Sequence, residues 1–383
     1  MTYGIAAASL AEARARAADI ALEQTVEIPA DIVPEGYIAE TIVGRIEALE
    51  PDADTETNAG NGGRFRATLS YSPDSIGGEL PQLLNVIFGN SSLQPGLKVV
   101  GFRLGETLSR QFPGAAFGIT GLRALVKRPR GGLIAAVIKP QGATAESLAA
   151  IAYRCALAGA DIIKEDHGLA NQPSAPFQAR CEQIGRAVAR ANAETGGASL
   201  YFANLNGPHE TLMEQARFAR TAGAGGLLVM PGLLGFDLLR RLSQDPEIQL
   251  PLMAHPSLLG SHVLSSDSGF SHGVLFGAIM RLAGADISIF PNIGGRFSFS
   301  RADCLDIAEQ CRDTDGIGRP ILPSPGGGMS VERAAEMHAM YGEDVVYLLG
   351  GSLLRHGERI GGAIQAMRQA LEAAISRESK APD

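Results

Sequence analysis

The run Gly159-Ala160-Asp161-Ile162-Ile163-Lys164-Glu165-Asp166-His167-Gly168 ends an apolar segment in a lysine, two acids and a histidine. Such groups can bind a cation, polarise a carbonyl oxygen or move a proton. As an isolated string it also suits a solvated loop of salt-bridging residues, so its meaning depends on what positions it. A second run, Leu133-Ile134-Ala135-Ala136-Val137-Ile138, ends in Lys139-Pro140. Both runs predict buried strands, and each delivers a lysine at its C-terminal end.

Two glycine-rich segments offer a different chemistry. Leu322-Pro323-Ser324-Pro325-Gly326-Gly327-Gly328-Met329 and Leu349-Gly350-Gly351-Ser352 each close an apolar run. Glycine lets backbone N–H groups approach an oxyanion closely, and a following helix start adds its positive dipole end. Ser324, Gly326, Gly327, Gly328, Gly350 and Gly351 are therefore candidate phosphate-binding residues, although either turn alone also reads as a tight connection. His255 follows Pro251 to Ala254. Asn204 and Asn206 follow the third apolar run, and Asn292 and Arg296 follow the sixth. His262, His272, His338 and His356 read as structural or surface residues, although the long connection after the fifth run could also bring His262 and His272 to the rim.

The elements that must position these groups begin at Gly132. Apolar runs rich in Val, Ile and Leu fall near 133–138, 161–163, 199–203, 226–230, 251–254, 286–290, 320–322 and 345–349. Between them lie helical patterns such as Thr144 to Ala158, Phe177 to Glu194, Glu210 to Ala222 and Val331 to Met340. Continuous apolar strands alternating with helices predict a parallel sheet buried on both faces. Eight such units fit a closed (β/α)8 TIM barrel over residues 129–383, with C-terminal helices. In such barrels chemistry sits at the C-terminal strand ends and phosphate binds after strands seven and eight, where the two glycine segments fall.

Residues 1–128 predict a separate, small α+β ferredoxin-like domain. Tyr37 to Val43 and Arg66 to Tyr71 read as strands, Leu84 to Phe88 as a third, and Asp52 to Gly63 as a polar loop. The alanine-rich N-terminus carries Glu12, Arg14 and Arg16, unlike a signal peptide, and no stretch is long and apolar enough to span a bilayer. Cys155, Cys181, Cys304 and Cys311 have no zinc-ligand or CxxC spacing. These features predict a soluble cytoplasmic protein. A net charge of −8 with interspersed signs argues against nucleic acid or a membrane surface as partner. An anionic substrate must therefore be caught by a local site.

Taken together, Ile138-Lys139-Pro140, Gly159 to Gly168, His255, Pro325 to Gly328 and Gly350-Gly351 give the chain a family resemblance. It resembles the large subunit of ribulose-1,5-bisphosphate carboxylase, and more narrowly the RuBisCO-like (form IV) proteins, from about Tyr37 to Gly362. Phe88-Gly89-Asn90 is similar to the family's N-terminal motif whose asparagine enters the partner subunit's site, and Glu56 and Asn61 fall where the other N-terminal site loop belongs. The resemblance implies a homodimer with shared sites. It also implies a carbamylated Lys164 that binds Mg²⁺ together with Asp166 and His167.

Four departures narrow the activity. His167 stands where the family has glutamate, which offers hard Mg²⁺ a neutral nitrogen in place of a carboxylate. Gln141 replaces a second lysine, Pro256 replaces a phosphate-gripping arginine, and Asn292-Ile293-Gly294-Gly295-Arg296 replaces the flexible loop whose lysine stabilises the carboxylated intermediate. CO₂ fixation is not expected. What remains is enolisation: a cation holds a carbonyl oxygen and a base removes the adjacent proton. Lys139 is the candidate base or acid, with Lys164 and His255 beside it, although Lys139 also suits simple pairing with Asp166 or Glu165. The resemblance implies an isomerase or tautomerase acting on a phosphorylated ketose of the 5-methylthioribulose 1-phosphate kind, as in methionine salvage. A decarboxylase of an oxidised (3-oxo) sugar acid is the alternative enzyme, and a non-catalytic regulatory homologue the alternative outside enzymes.

Overall fold

A computed structural model describes residues 1–52, 63–297, 299–314 and 316–378. They form two compact units, one built chiefly from Met1–Pro113 and Leu258–Leu275, the other from Gly114–Ser257, Phe276–Thr314 and the chain from Gly318 onward. The division falls at Pro113, earlier than residue 128. The reason is the helix Gly118–Leu125: Leu122 and the following Val126 pack among the inward-facing residues of the barrel strands. Its start is pinned by the buried carboxylate of Asp286, which accepts from the N–H groups of Phe117, Gly118 and Leu252 at 2.7–2.8 Å. Burial pushes that carboxyl up to about 6, against the pull of the three N–H donors.

The first unit is a five-stranded sheet. β1 (Thr2–Ala7) lies antiparallel between β3 (Gly63–Ser70) and β4 (Leu97–Gly101), and β2 (Arg45–Pro51) pairs antiparallel with β3. The helix Leu10–Glu23 is capped by Ser9 and buries Ala13, Ala17, Ile20 and Ala21, a helical repeat of small and apolar residues. Two expected strands are absent. Leu84 to Phe88 is the second half of a helix, Leu80–Phe88, which opens on Pro81 and buries Leu80, Leu83, Val86 and Ile87 at helical spacing. Tyr37 to Val43 is a single wide turn, Ile38–Ile42, that buries none of its residues. With no face to bury, its alternating pattern gains nothing from a sheet.

The second unit is the expected barrel. Eight parallel strands close on themselves: β5 (Leu133–Ile138), β6 (Ile162–Glu165), β7 (Leu200–Asn204), β8 (Gly226–Val229), β9 (Leu252–Ala254), β11 (Ile287–Pro291), β12 (Leu322–Gly326) and β13 (Val346–Leu349). β10 (Gly269–Phe270), in the connection after β9, belongs to the first unit and pairs parallel with β4. Leu133, Ala135, Ile162, Phe202, Leu228, Met253, Ile289, Leu322 and Val346 fill the barrel interior. Gly226 makes room there, since a Cβ at that position would lie 2.4 Å from the Phe202 ring. Among the described residues no helix is long and apolar enough to cross a membrane.

Candidate active site

Side chains alternate along a strand, so the inward face of β5 that carries Leu133 and Ala135 also carries Lys139 just past its end, and the face of β6 that carries Ile162 carries Lys164. The β5–β6 register sets Lys164 level with Val137. Both lysines face Asp166. Lys139 Nζ lies 3.4 Å from Asp166 Oδ1, and Lys164, almost wholly buried, donates from Nζ to the Glu165 carbonyl at 2.8 Å. The pairing of Lys139 with Asp166 is thus realised, at the barrel rim.

Burial pulls the Lys164 ammonium down to about 8. Asp166 opposes the shift and Lys139 adds to it. A group lowered in this way is poised between amine and ammonium near neutral pH. Folding favours the amine, so Lys164 costs stability fully below pH 8 and the cost fades as pH rises toward 10.5. The ¹³Cε resonance of Lys164 should titrate with a midpoint near pH 8. A midpoint near 10.5 would remove the buried environment on which this rests.

Two imidazoles complete the rim. The His167 and His255 rings stack at 4.2 Å between centroids, 20° apart in plane. His255 is held well below its ordinary value by burial and then by Lys164, His167 and Lys139. His167 is lowered by burial, with Asp166 opposing and the two lysines assisting. Both rings are neutral at pH 7. Ser257 N–H donates to His255 Nδ1 at 3.3 Å, and the Ser257 hydroxyl lies 2.8 Å from the same atom. An accepting Nδ1 leaves the proton of the neutral ring on Nε2, so His255 faces the site as a donor and not as a base.

The loop carrying Asp166 and His167 is held by groups with no signal in the motif itself. Glu165 points out of the barrel and is fully buried. It pairs with Arg180 Nε at 2.6 Å and accepts from Tyr201 Oη at 2.7 Å and from Asn204 N–H at 2.8 Å. Arg180 also donates to the carbonyls of Ala170, Ala175 and Leu169. Asn204 Nδ2 donates to the carbonyls of His167 and Leu169. The one clue to Arg180 is its place on the apolar face of the helix Phe177–Thr195, beside Cys181 and one turn before Ile184.

The other predicted residues divide. Gly326 ends β12, Gly327 and Gly328 form the turn after it, and Gly350 and Gly351 stand after β13. The backbone N–H groups of Gly328 and Met329 have no protein acceptor among the described residues, while that of Gly327 faces Leu348 of the paired strand β13. Ser324 is buried below the turn, its hydroxyl donating to the Val346 carbonyl at 3.0 Å, so it supports the strand pair and does not present itself at the rim. Arg296 is exposed, its guanidinium 4.8 Å from the centre of the Phe297 ring. Asn90 lies in the first unit, where its amide donates to Glu23 and Glu27 at 3.0 Å. Glu56 and Asn61 lie outside the described residues.

In their amine form these side chains do not fit Mg²⁺. One carboxylate, Asp166, is shared with Lys139 and sits 3.7 Å from His167 Nδ1, and imidazole is a poor donor for a hard ion. Among the described residues no three His, Cys, Asp or Glu side chains are grouped to hold a metal.

A family model of the ribulose bisphosphate carboxylase large chain, catalytic domain, matches residues 118–296. Ribulose bisphosphate carboxylase-like protein 1 of Rhodopseudomonas palustris is 39% identical over 360 residues, 94% of each chain. The chain is a RuBisCO-like protein. This RuBisCO-like protein is also 36% identical over 377 residues to the 5-methylthioribulose-1-phosphate isomerase of Rhodospirillum rubrum, which covers 98% of this chain and 96% of that one. The crystal structure of the Rubisco-like protein from Rhodopseudomonas palustris matches at a TM-score of 0.82 and 33% identity, covering 97% of this chain and 96% of the other. The likeness to a named isomerase over nearly the whole chain sets this RuBisCO-like protein among enzymes.

Proposed function

We propose that this RuBisCO-like protein enolises a phosphorylated ketose and returns the proton to a neighbouring carbon, as an isomerase of the 5-methylthioribulose 1-phosphate type. The observation that carries this reading is the convergence of Lys139 and Lys164 on Asp166 at a barrel rim that also presents a glycine turn with unpaired N–H groups. The turn holds the phosphate. Lys164, as ammonium, holds the carbonyl oxygen and stabilises the charge that develops there. Lys139 Nζ takes the α-proton, the C–H electron pair forms the enediolate C=C bond, and the carbonyl π pair moves to oxygen. The ammonium so formed then returns the proton to the former carbonyl carbon, while the hydroxyl proton of the second oxygen passes to the first, so that the second oxygen becomes the new carbonyl and accepts a hydrogen bond from His255 Nε2–H.

Carbamylation of Lys164 would add an anionic oxygen. Only in that form would Lys164, Asp166 and His167 suit Mg²⁺, whose contribution would be to polarise the carbonyl. The reading includes a symmetric homodimer in which Asn90 of one subunit serves the other's site. Incubation of the full chain with 5-methylthioribulose 1-phosphate in deuterated water should remove one C–H signal from the proton spectrum and give an isomer of equal mass apart from deuterium. Release of CO₂ from an oxo-acid analogue without any exchange on the ketose would replace the isomerase by a decarboxylase.

A further inference from the structure

The loop after β11 and the turn after β12 are tied by one side chain. Arg333 Nη1 donates to the carbonyl of Gly328 at 2.7 Å and to that of Ile293 at 3.1 Å, so a single nitrogen bridges both segments. The guanidinium is held in plane by Glu336, which takes Nε at 2.8 Å and Nη2 at 3.0 Å. Glycine is required on both sides of this bridge. A Cβ on Gly294 or on Gly328 would lie 2.9 or 2.8 Å from Nη1, and both residues have left-handed φ, +72° and +65°.

A second tie lies below. Asn292 is fully buried, its N–H donates to the Gly326 carbonyl at 2.9 Å, and its Nδ2 reaches the Gly327 carbonyl at 3.3 Å. Tyr341 Oη fixes this amide by donating to Oδ1 at 2.6 Å. The carbonyls of Gly326, Gly327 and Gly328 are thus all claimed by the loop after β11 or by Arg333. A trans peptide carries its C=O and the next N–H in opposite directions. Holding these three carbonyls toward the loop therefore turns the N–H groups of Gly327, Gly328 and Met329 away from it; that of Gly327 turns toward Leu348 of the paired strand β13, and those of Gly328 and Met329 have no protein acceptor among the described residues. Two adjacent unpaired N–H groups turned the same way form an anion-binding concavity.

We propose that Arg333 is the positioning residue that preforms this anion nest and, by the same bridge, makes residues 292–296 after β11 a fixed wall and not a lid. The proposal rests on the phosphorylated-substrate reading and adds the device that orients the phosphate. Arg333 acts on the anion through these carbonyls; four of its five N–H donors are spent on Glu336 and the carbonyls of Ile293 and Gly328.

The test is calorimetric titration of the full chain with inorganic phosphate, together with hydrogen exchange of the backbone. Arg333→Gln should weaken phosphate binding at least tenfold and raise exchange in residues 292–296 and 326–330 together. With the ketose phosphate as substrate, KM should rise by a similar factor while kcat stays within about twofold. Arg333→Lys should recover part of the affinity, because an ammonium still reaches one carbonyl. If Arg333→Gln does not fold, Glu336→Gln keeps the arginine but frees its plane and should show the same coupled changes at smaller size.

A protein that loses melting temperature but binds phosphate within twofold of the parent would reduce Arg333 to a structural residue, and loosening of only one of the two segments would break the bridge argument. A parent protein that binds no phosphate would overturn the nest and the functional reading, while coupled loosening of the two segments would still uphold the clamp.

Discussion

Replacing Lys139 by methionine will lower the exchange of the substrate's α-proton with deuterated water on the order of 10²–10⁴-fold, the usual contribution of a positioned general acid or base. Methionine matches the apolar stem of lysine as far as Cε, with sulfur in place of Cδ, and lacks the nitrogen that lies 3.4 Å from Asp166. The glycine turn is untouched, so inorganic phosphate should bind as before, which separates a lost proton carrier from a lost site. Lys164→Ala should behave differently, since it removes the group that holds the developing oxyanion and would weaken substrate binding as well as exchange. A Lys139→Met protein that still exchanges at a near-normal rate would reject the assignment. The base would then have to be His255, against its Nδ1 being taken by Ser257 and its neutral form being favoured by burial.

How far the sequence foretold this site follows from the kind of force at each position. The barrel strands were legible because a parallel strand covered on both faces must be apolar throughout, and β5 is buried at all six positions. Lys139 and Lys164 stood out as polar ends of such runs. The short apolar stretch Leu84 to Phe88 was ambiguous by nature, and only the wider window from Leu80 shows the helical period. Tyr37 to Val43 alternates without burying anything, so its pattern carried no structural meaning. Arg180, Asn204 and Arg333 act chiefly by donating to backbone carbonyls, and a carbonyl is offered by every residue type. Such ties leave no spacing to find. Asn204 was visible as a strand-end residue, but its work as a staple on the His167 carbonyl was not.

The buried pair beneath the site should dominate the stability of the barrel unit. Arg180 and Glu165 are both fully buried, and removing one partner strands the other charge. Arg180→Met would leave the Glu165 carboxylate with Tyr201 Oη and one N–H, and would deprive the carbonyls of Ala170 and Ala175 of their donor. Breaking a buried pair in this way costs about 3–5 kcal/mol, so the barrel transition in a denaturant series should shift by that amount. Adding Glu165→Gln to Arg180→Met should restore part of the loss, because the stranded charge is then gone although the carbonyls remain unserved. A single variant within 1 kcal/mol of the parent, or a double variant no more stable than the single, would contradict this account. The partial rescue should not extend fully to catalysis: with Arg180 absent the loop after Asp166 loses its ties at Leu169, Ala170 and Ala175 in both variants, and only Asn204 among the described residues still holds the carbonyls of His167 and Leu169.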